Sequence, residues 1–86
     1  MNARSTVFLV DDDDGLRRAT ARLLTSYGFE VCAFASAEEF LAAFDARAPG
    51  CLLLDLRMPG MSGLQLQEAL AQRGAAPPIV FLTGHA

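Results

Sequence analysis

The fold is decided by residues 51–63, which read CLLLDLRMPGMSG. Four uninterrupted apolar or small residues lead to the carboxylate of Asp55, and a short apolar run of this kind is typical of a strand that is covered on both faces of a sheet. Pro59-Gly60 and Ser62-Gly63 then mark a loop, and apolar residues at helical spacing follow over residues 64–73. A strand, a loop and a helix in this order predict one unit of a parallel α/β sheet.

Similar strand patterns lie on both sides of this unit. Val7–Val10 and Ile79–Leu82 are short apolar runs, and Glu30–Phe34 begins with a polar residue, as an edge strand can. Helical spacing separates successive strands, so the predicted order is β-α-β-α-β-α-β. Strict alternation predicts an α/β fold with a parallel sheet and right-handed crossovers. We expect the strand order 2-1-3-4, with helix 1 on one face and helices 2 and 3 on the other.

Capping residues and apolar spacing predict the helix starts and the core. We expect the first helix to begin at Gly15 with Asp14 as its N-cap, and the second to follow a capping box of Ser36 and Glu39. The apolar face of the first helix is expected to consist of Leu16, Ala19, Leu23, Leu24 and Tyr27. The predicted core consists of Val7, Leu9, Leu23, Leu52, Leu54, Leu70, Val80 and Leu82 with their neighbours.

Composition excludes several classes of function. The 86 residues suit one domain, carry a formal net charge of −3, and have Arg as their only basic residue besides a single His. Without Lys, neither a P-loop nor a Schiff-base enzyme is possible, and without a basic patch direct nucleic-acid binding is not expected. Cys32 and Cys51 do not make a disulfide framework, and the uncharged runs are too short to span a membrane. We therefore expect a cytoplasmic domain.

Polar side chains lie at the ends of three predicted strands. Asp11 and Asp12 follow the first strand, Asp55 ends the third, and Thr83 follows the fourth. Ligands of open parallel sheets bind beyond the carboxyl ends of the strands, so the three carboxylates should share one pocket if strands 1 and 3 are neighbours. A cation would relieve their repulsion, and Mg²⁺ binds carboxylates while leaving room for phosphate oxygens. The spacing predicts a Mg²⁺-assisted phosphoacceptor, with Thr83 donating to a phosphoryl oxygen.

Three motifs resemble the receiver domain of bacterial response regulators. They are VDD at residues 10–12, LLLDLRMPGMSG at residues 52–63 and FLTGH at residues 81–85. The resemblance covers essentially the whole chain and implies a CheY-like (flavodoxin-like) fold. The DLRMP and LTGH segments are most similar to receivers that precede a LuxR-type helix-turn-helix output domain. This similarity implies a parent protein that regulates transcription in a two-component phosphorelay.

The resemblance also implies a role for five residues. Asp55 is the phosphorylation site and accepts the phosphoryl group from a sensor histidine kinase. Mg²⁺ is the implied cofactor, and its ligands are Asp11, Asp12, Asp55 and the main-chain carbonyl of Arg57. Thr83 is the hydroxyl that turns towards the phosphoryl group, so it joins Asp55 in the catalytic set. A receiver takes part in its own phosphorylation and is not otherwise an enzyme.

The chain departs from the family pattern after Thr83. In the family the sheet continues with a helix, a fifth strand that contains a Lys, and a last helix. Residues 1–86 are therefore expected to form an incomplete receiver that ends after strand 4 and has no output domain. We expect slow phosphorylation without the Lys, and weak coupling to any output without the aromatic partner of Thr83. The uncovered edge of strand 4 predicts a homodimer or a domain-swapped oligomer, unless the chain is a piece of a longer protein.

Two alternative functions remain open at this point. An incomplete receiver could act as a dimerisation or interaction module that no longer switches. Residues 12–16, DDDGL, also resemble the opening motif of haloacid-dehalogenase-type phosphotransferases, in which a carboxylate of the first strand is the nucleophile. The absence of Lys and the short chain count against that enzyme class, which also leaves the loop after Asp55 without a purpose.

Overall fold

The fold is a four-stranded parallel sheet with helices on both faces. The computed structural model describes residues 6–45, 50–55, 60–74 and 77–82. Its elements are β1 (Thr6–Val10), α1 (Asp14–Ser26), β2 (Glu30–Phe34), α2 (Ala37–Ala43), β3 (Cys51–Asp55), α3 (Gly63–Gln72) and β4 (Ile79–Leu82). The strands form one sheet in the order β2-β1-β3-β4. The predicted α/β class and strand order are confirmed.

β1 lies inside the sheet and has a neighbour on each side. Val10, its last residue, pairs with Phe34 at the end of β2 and with Leu54 near the end of β3. β4 pairs with the other side of β3, where Asp55 lies opposite Leu82. Because all of these pairings are parallel, the carboxyl ends of the strands lie along the same edge of the sheet.

The main core lies on the face of the sheet that α2 and α3 cover. It consists of Val10, Ala37, Phe40, Leu41, Leu52, Leu54, Leu66 and Leu70. Phe40 is the largest of these side chains, and its ring contacts those of Phe8, Phe34 and Phe44 at centroid distances of 5.2–5.8 Å. Tilted and edge-on aromatic contacts of this kind add to the burial energy of the rings. Phe40 therefore joins α2 to β1 and β2.

The opposite face is only partly covered. α1 packs against β1 and β2, and Leu9, which alternation along β1 directs to this face, is fully buried. The predicted burial of Leu23 and Val80 was wrong, since these side chains are 56% and 51% exposed, and Leu82 is only half-buried. No residue of α1, all of which the structure describes, is buried. The reason is that no described helix lies beside α1 over β3 and β4.

The structure also corrects the start of α1. The N-cap is Asp13 and not Asp14: Asp13 is extended, and its Oδ1 accepts a hydrogen bond of 3.0 Å from the main-chain N–H of Leu16. Asp14 is the first helical residue, where a carboxylate is favoured by the helix dipole. This one-residue difference matters for the site, because it leaves Asp11 and Asp12 alone at the tip of β1.

The predicted N-cap of α2 is confirmed, and the structure adds a capping box at α3. Ser36 caps α2 by accepting from the main-chain N–H of Glu39, and the Glu39 side chain returns to the N–H of Ala35. Ser62 and Gln65 form a complete capping box at α3. None of the described helices is both long enough and apolar enough to cross a bilayer.

Candidate functional site

The site forms where β1 and β3 end side by side. Asp11 follows β1 directly, and its main-chain N–H donates to the carbonyl of Phe34 at 3.1 Å, so strand-like geometry continues one residue beyond β1. Asp55 is the last residue of β3. The parallel register of Val10 with Leu54 therefore places the residues after each of them, Asp11 and Asp55, at the same edge of the sheet.

Three carboxylates meet at this edge. Asp11, Asp12 and Asp55 each offer one oxygen, and these three oxygens lie within 4.8 Å of one another. Asp11 is 0% exposed and Asp55 is 5% exposed, whereas Asp12 is open to solvent. The sequence prediction that these three side chains share one pocket agrees with this geometry. Two of the three carboxylate groups are thus buried, and the third faces water.

Asp11 is the member of this cluster with an unsatisfied atom. Its Oδ1 accepts from the main-chain N–H of Asp13 at 3.0 Å, but its buried Oδ2 has no hydrogen-bond partner among the described residues. Burial raises the pKa of Asp11 above its usual value, and the charges of Asp55, Asp12 and Asp13 raise it further, against the opposing effect of the bond from Asp13. A cation beside this carboxylate would favour its ionised form.

The donor set fits a hard divalent cation. Mg²⁺ prefers oxygen ligands, is held by one or two carboxylates, and keeps several waters or phosphate oxygens in its shell. Asp11, Asp12 and Asp55 each offer one carboxylate oxygen of this kind, and the buried Oδ2 of Asp11 has no hydrogen-bond partner among the described residues. The exposed side at Asp12 leaves space for the remaining ligands. The family resemblance also implies the main-chain carbonyl of Arg57 as a metal ligand, and Arg57 lies outside the described residues.

The next two acidic residues, Asp13 and Asp14, make contacts within the loop and the first turn of α1. Asp13 caps α1, as described above, and Asp14 forms an ion pair with Arg17 at 2.5 Å. Arg17 also donates from Nη1 to the main-chain carbonyl of Asp11 at 2.9 Å. Sequence reasoning missed Arg17; the only available signal was the spacing of three residues from Asp14, which permits an ion pair on a helix.

Thr83 is the second predicted site residue, after Arg57, that lies outside the described residues, which at this end of the chain stop at Leu82. Leu82 pairs with Asp55, so β4 runs beside β3 up to its last described residue. The assignment of Thr83 to the phosphoryl pocket therefore stays a prediction.

Comparison with known proteins identifies the family. A sequence model of the response regulator receiver domain matches residues 7–86. The chain belongs to this family. The solved structure of response regulator StyR is 50% identical and superposes with a TM-score of 0.90, over 98% of this chain and 42% of StyR. The receiver assignment made from the three motifs is thereby confirmed, and with it a role in two-component signal transduction.

Two further relatives extend the comparison. Transcriptional regulatory protein TdiR of Thauera aromatica is 47% identical over 81 residues, which are 94% of this chain and 36% of TdiR. Response regulator protein TrrA of Thermotoga maritima, solved in complex with Mg²⁺ and BeF, is 27% identical with a TM-score of 0.83, over 95% of this chain and 71% of that structure. The receiver chain spans little more than a third of the length of curated relatives such as TdiR.

Proposed function

We propose that this receiver accepts a phosphoryl group on Asp55 from a sensor histidine kinase, with Mg²⁺ bound by Asp11, Asp12 and Asp55. One carboxylate oxygen of Asp55 forms a bond to phosphorus while the bond between phosphorus and the donor's histidine nitrogen breaks. The released imidazole nitrogen then takes up a proton from solvent. The observation that carries this proposal is the cluster of carboxylate oxygens from Asp11, Asp12 and Asp55, together with a buried Asp11 Oδ2 that has no hydrogen-bond partner among the described residues.

Each residue of the proposed site has a separate task. Asp55 is the nucleophile, and its place at the end of β3 keeps its backbone fixed by the pairing with Leu82. Asp11 and Asp12 hold the metal, which when bound neutralises the carboxylates and the oxygens of the incoming phosphoryl group. The carbonyl of Arg57 is proposed as a further ligand and the hydroxyl of Thr83 as a donor to a phosphoryl oxygen, both from the family resemblance. TrrA, a relative crystallised with Mg²⁺ and BeF, supports the choice of metal.

We extend the proposal to the protein as a whole. Residues 1–86 act as a receiver domain in a cytoplasmic regulator, whose output we propose to be transcriptional because TdiR is a transcriptional regulatory protein. The domain takes part in its own phosphorylation and has no further enzymatic task. This proposal competes with the haloacid-dehalogenase alternative, in which Asp12 would be the nucleophile and Asp55 dispensable.

Phosphorylation by a small donor distinguishes these functions. The protein is incubated with an acyl phosphate and Mg²⁺, and phosphoryl addition is followed by intact mass spectrometry. We expect one acid-labile phosphoryl group on the wild type and on Asp45→Asn, a matched change of an exposed aspartate, and none on Asp55→Asn. Modification that persists in Asp55→Asn would contradict the proposal. Hydrolysis of a small phosphate ester that survives Asp55→Asn and is lost in Asp12→Asn would instead favour the haloacid-dehalogenase class.

A second proposal concerns self-association through the edge at β4. Among the described strands β4 pairs with β3 alone, and its Val80 is 51% exposed. On the same face of the sheet α1, which packs on β1 and β2, also exposes apolar side chains, namely Leu16, Leu23 and Tyr27. An apolar strand edge of this kind favours pairing with a second copy, either directly or by exchange of elements.

Light scattering at low micromolar concentration tests this second proposal. We expect the wild type to have twice the monomer mass or more, and Val80→Lys, which places a charge on the edge strand, to shift the population towards monomer. Glu68→Gln on α3 serves as the surface control and should associate as the wild type does. A stable, folded wild-type monomer would refute self-association and would leave the phosphoacceptor proposal intact.

A further inference from the structure

The loop between β1 and α1 is held by one side chain from the helix that follows it. Arg17 lies in the second turn of α1, and its guanidinium points back towards the tip of β1. Nη1 donates to the main-chain carbonyl of Asp11 at 2.9 Å, and Nη2 pairs with the carboxylate of Asp14 at 2.5 Å. The two contacts lie on either side of Asp12 and Asp13. Arg17 therefore closes the loop that presents two of the three proposed metal ligands.

Two features separate this arrangement from an ordinary surface ion pair. The Arg17 side chain is 17% exposed, against 71% for its partner Asp14, so the guanidinium is largely withdrawn from solvent. A cation near the start of a helix is also disfavoured by the helix dipole, so its position is favoured only through specific contacts. The planar guanidinium meets this need because it donates in two fixed directions at once, which an ammonium group cannot do.

Asp11 is oriented from both of its ends. Its Oδ1 accepts from the N–H of Asp13 and its carbonyl accepts from Arg17, while its buried Oδ2 has no hydrogen-bond partner among the described residues. A change in the loop would rotate or shift this oxygen relative to Asp12 and Asp55. Mg²⁺ is sensitive to such a shift because it requires nearly ideal octahedral geometry, whereas Ca²⁺ tolerates irregular and varied coordination.

We propose that Arg17 is a positioning residue for the metal site, which sets the geometry of Asp11 and Asp12 for Mg²⁺ without touching the ion. The inference rests on the proposed function of the same site. It predicts a change in Mg²⁺ affinity opposite to the change expected from charge alone. Removal of a positive charge near three carboxylates should by itself strengthen cation binding, whereas loss of a positioning contact should weaken it.

The test compares Mg²⁺ and Ca²⁺ binding by isothermal titration calorimetry. Arg17→Ala is expected to weaken Mg²⁺ binding about fivefold, the factor for one hydrogen bond of ordinary net strength. Ca²⁺ binding should change less, so the ratio of the two affinities falls. Arg18→Ala, which removes the same charge from an exposed neighbour, should leave Mg²⁺ binding unchanged or slightly tighter. Arg17→Lys keeps the charge but loses the two-directional donation of the guanidinium. It should bind Mg²⁺ more weakly than the wild type and more tightly than Arg17→Ala.

The outcomes separate the inference from the function on which it rests. Failure of the wild type to bind Mg²⁺ would overturn the proposed function, and the inference with it. If the wild type binds Mg²⁺ and Arg17→Ala binds it equally well or more tightly, the inference alone is overturned. The same holds if Arg17→Ala loses Mg²⁺ and Ca²⁺ affinity to the same extent. Circular dichroism establishes that each variant folds; if Arg17→Ala does not, Arg17→Lys decides, and wild-type Mg²⁺ affinity in that variant overturns the inference.

Discussion

Replacing Asp11 with Asn should stabilise the metal-free protein while removing its response to Mg²⁺. Asp11 is completely buried, one of its oxygens has no partner among the described residues, and the ligand oxygens of Asp12 and Asp55 lie within 4.8 Å. Asn has nearly the same shape and can still accept the N–H of Asp13 through its carbonyl oxygen. It also offers an amide N–H₂ to the neighbouring carboxylates. The substitution thus removes a repulsive charge without opening a cavity.

Coulomb's law gives the size of the effect. Two unit charges 4.8 Å apart repel by about 0.9 kcal/mol in water and by about 3.5 kcal/mol at an effective dielectric constant of 20. Asp12 is exposed, so its repulsion lies near the lower value, whereas Asp55 is buried and lies nearer the upper one. The desolvation of the new amide offsets part of the gain. We expect a net increase in the free energy of unfolding of about 1–3 kcal/mol in the absence of metal.

Thermal unfolding in a chelator and in Mg²⁺ measures both effects. In chelator, Asp11→Asn should melt at least about 5 °C above the wild type, since about 1 kcal/mol corresponds to about 4–8 °C in a domain of this size. At Mg²⁺ ten times its dissociation constant, the wild type should gain about 1.4 kcal/mol and the variant much less. Glu68→Gln removes one negative charge from the exposed side of α3 and should follow the wild type. An Asp11→Asn protein that is less stable in chelator, or that gains as much from Mg²⁺, would refute the reasoning.

The remaining predictions concern pH, packing and the core. The folded-state pKa of Asp11 is raised above 3.8, so the metal-free protein should gain stability relative to Asp11→Asn as pH falls from neutrality through the raised pKa. Urea titrations of both proteins at several pH values measure this difference in stability. A difference that does not change with pH would contradict the prediction. Gly63→Ala should cost about 1–3 kcal/mol because its Cβ would lie 3.0 Å from the ring of Phe81, whereas Gly15→Ala, whose Cβ has space, should add about 0.5 kcal/mol in urea unfolding. Phe40→Ala should cost about 3–5 kcal/mol in the same assay, and a loss below 1 kcal/mol would contradict its central place among the three other rings.

The convergence of the site could be predicted from the sequence because it follows from topology. Strand alternation with helices dictates a parallel sheet, and a parallel sheet places the ends of neighbouring strands together. Asp11, Asp12 and Asp55 therefore meet once β1 and β3 are neighbours, as the expected strand order requires. The capping signal at Ser36 was equally informative, because it depends on contacts within four residues.

The parts that could not be predicted depend on neighbours distant in the chain. Leu23 lies on the apolar face of α1, but periodicity reports which face is apolar and not whether another element covers it. The N-cap was misplaced because four consecutive aspartates offer equal capping signals, and the choice of Asp13 depends on the loop conformation that Asp11 and Arg17 support. No sequence pattern predicts the hydrogen bond from Arg17 to a main-chain carbonyl.

The most direct test of the account is whether one cation touches both strand ends. Mn²⁺, a paramagnetic substitute for Mg²⁺, is added to the ¹⁵N-labelled protein and the broadening of amide signals is followed by NMR. The account predicts that the signals of Asp11, Asp12 and Asp55 broaden together at substoichiometric Mn²⁺ and recover when Mg²⁺ displaces it. Broadening confined to residues 11–14, with Asp55 unaffected, would contradict the shared site.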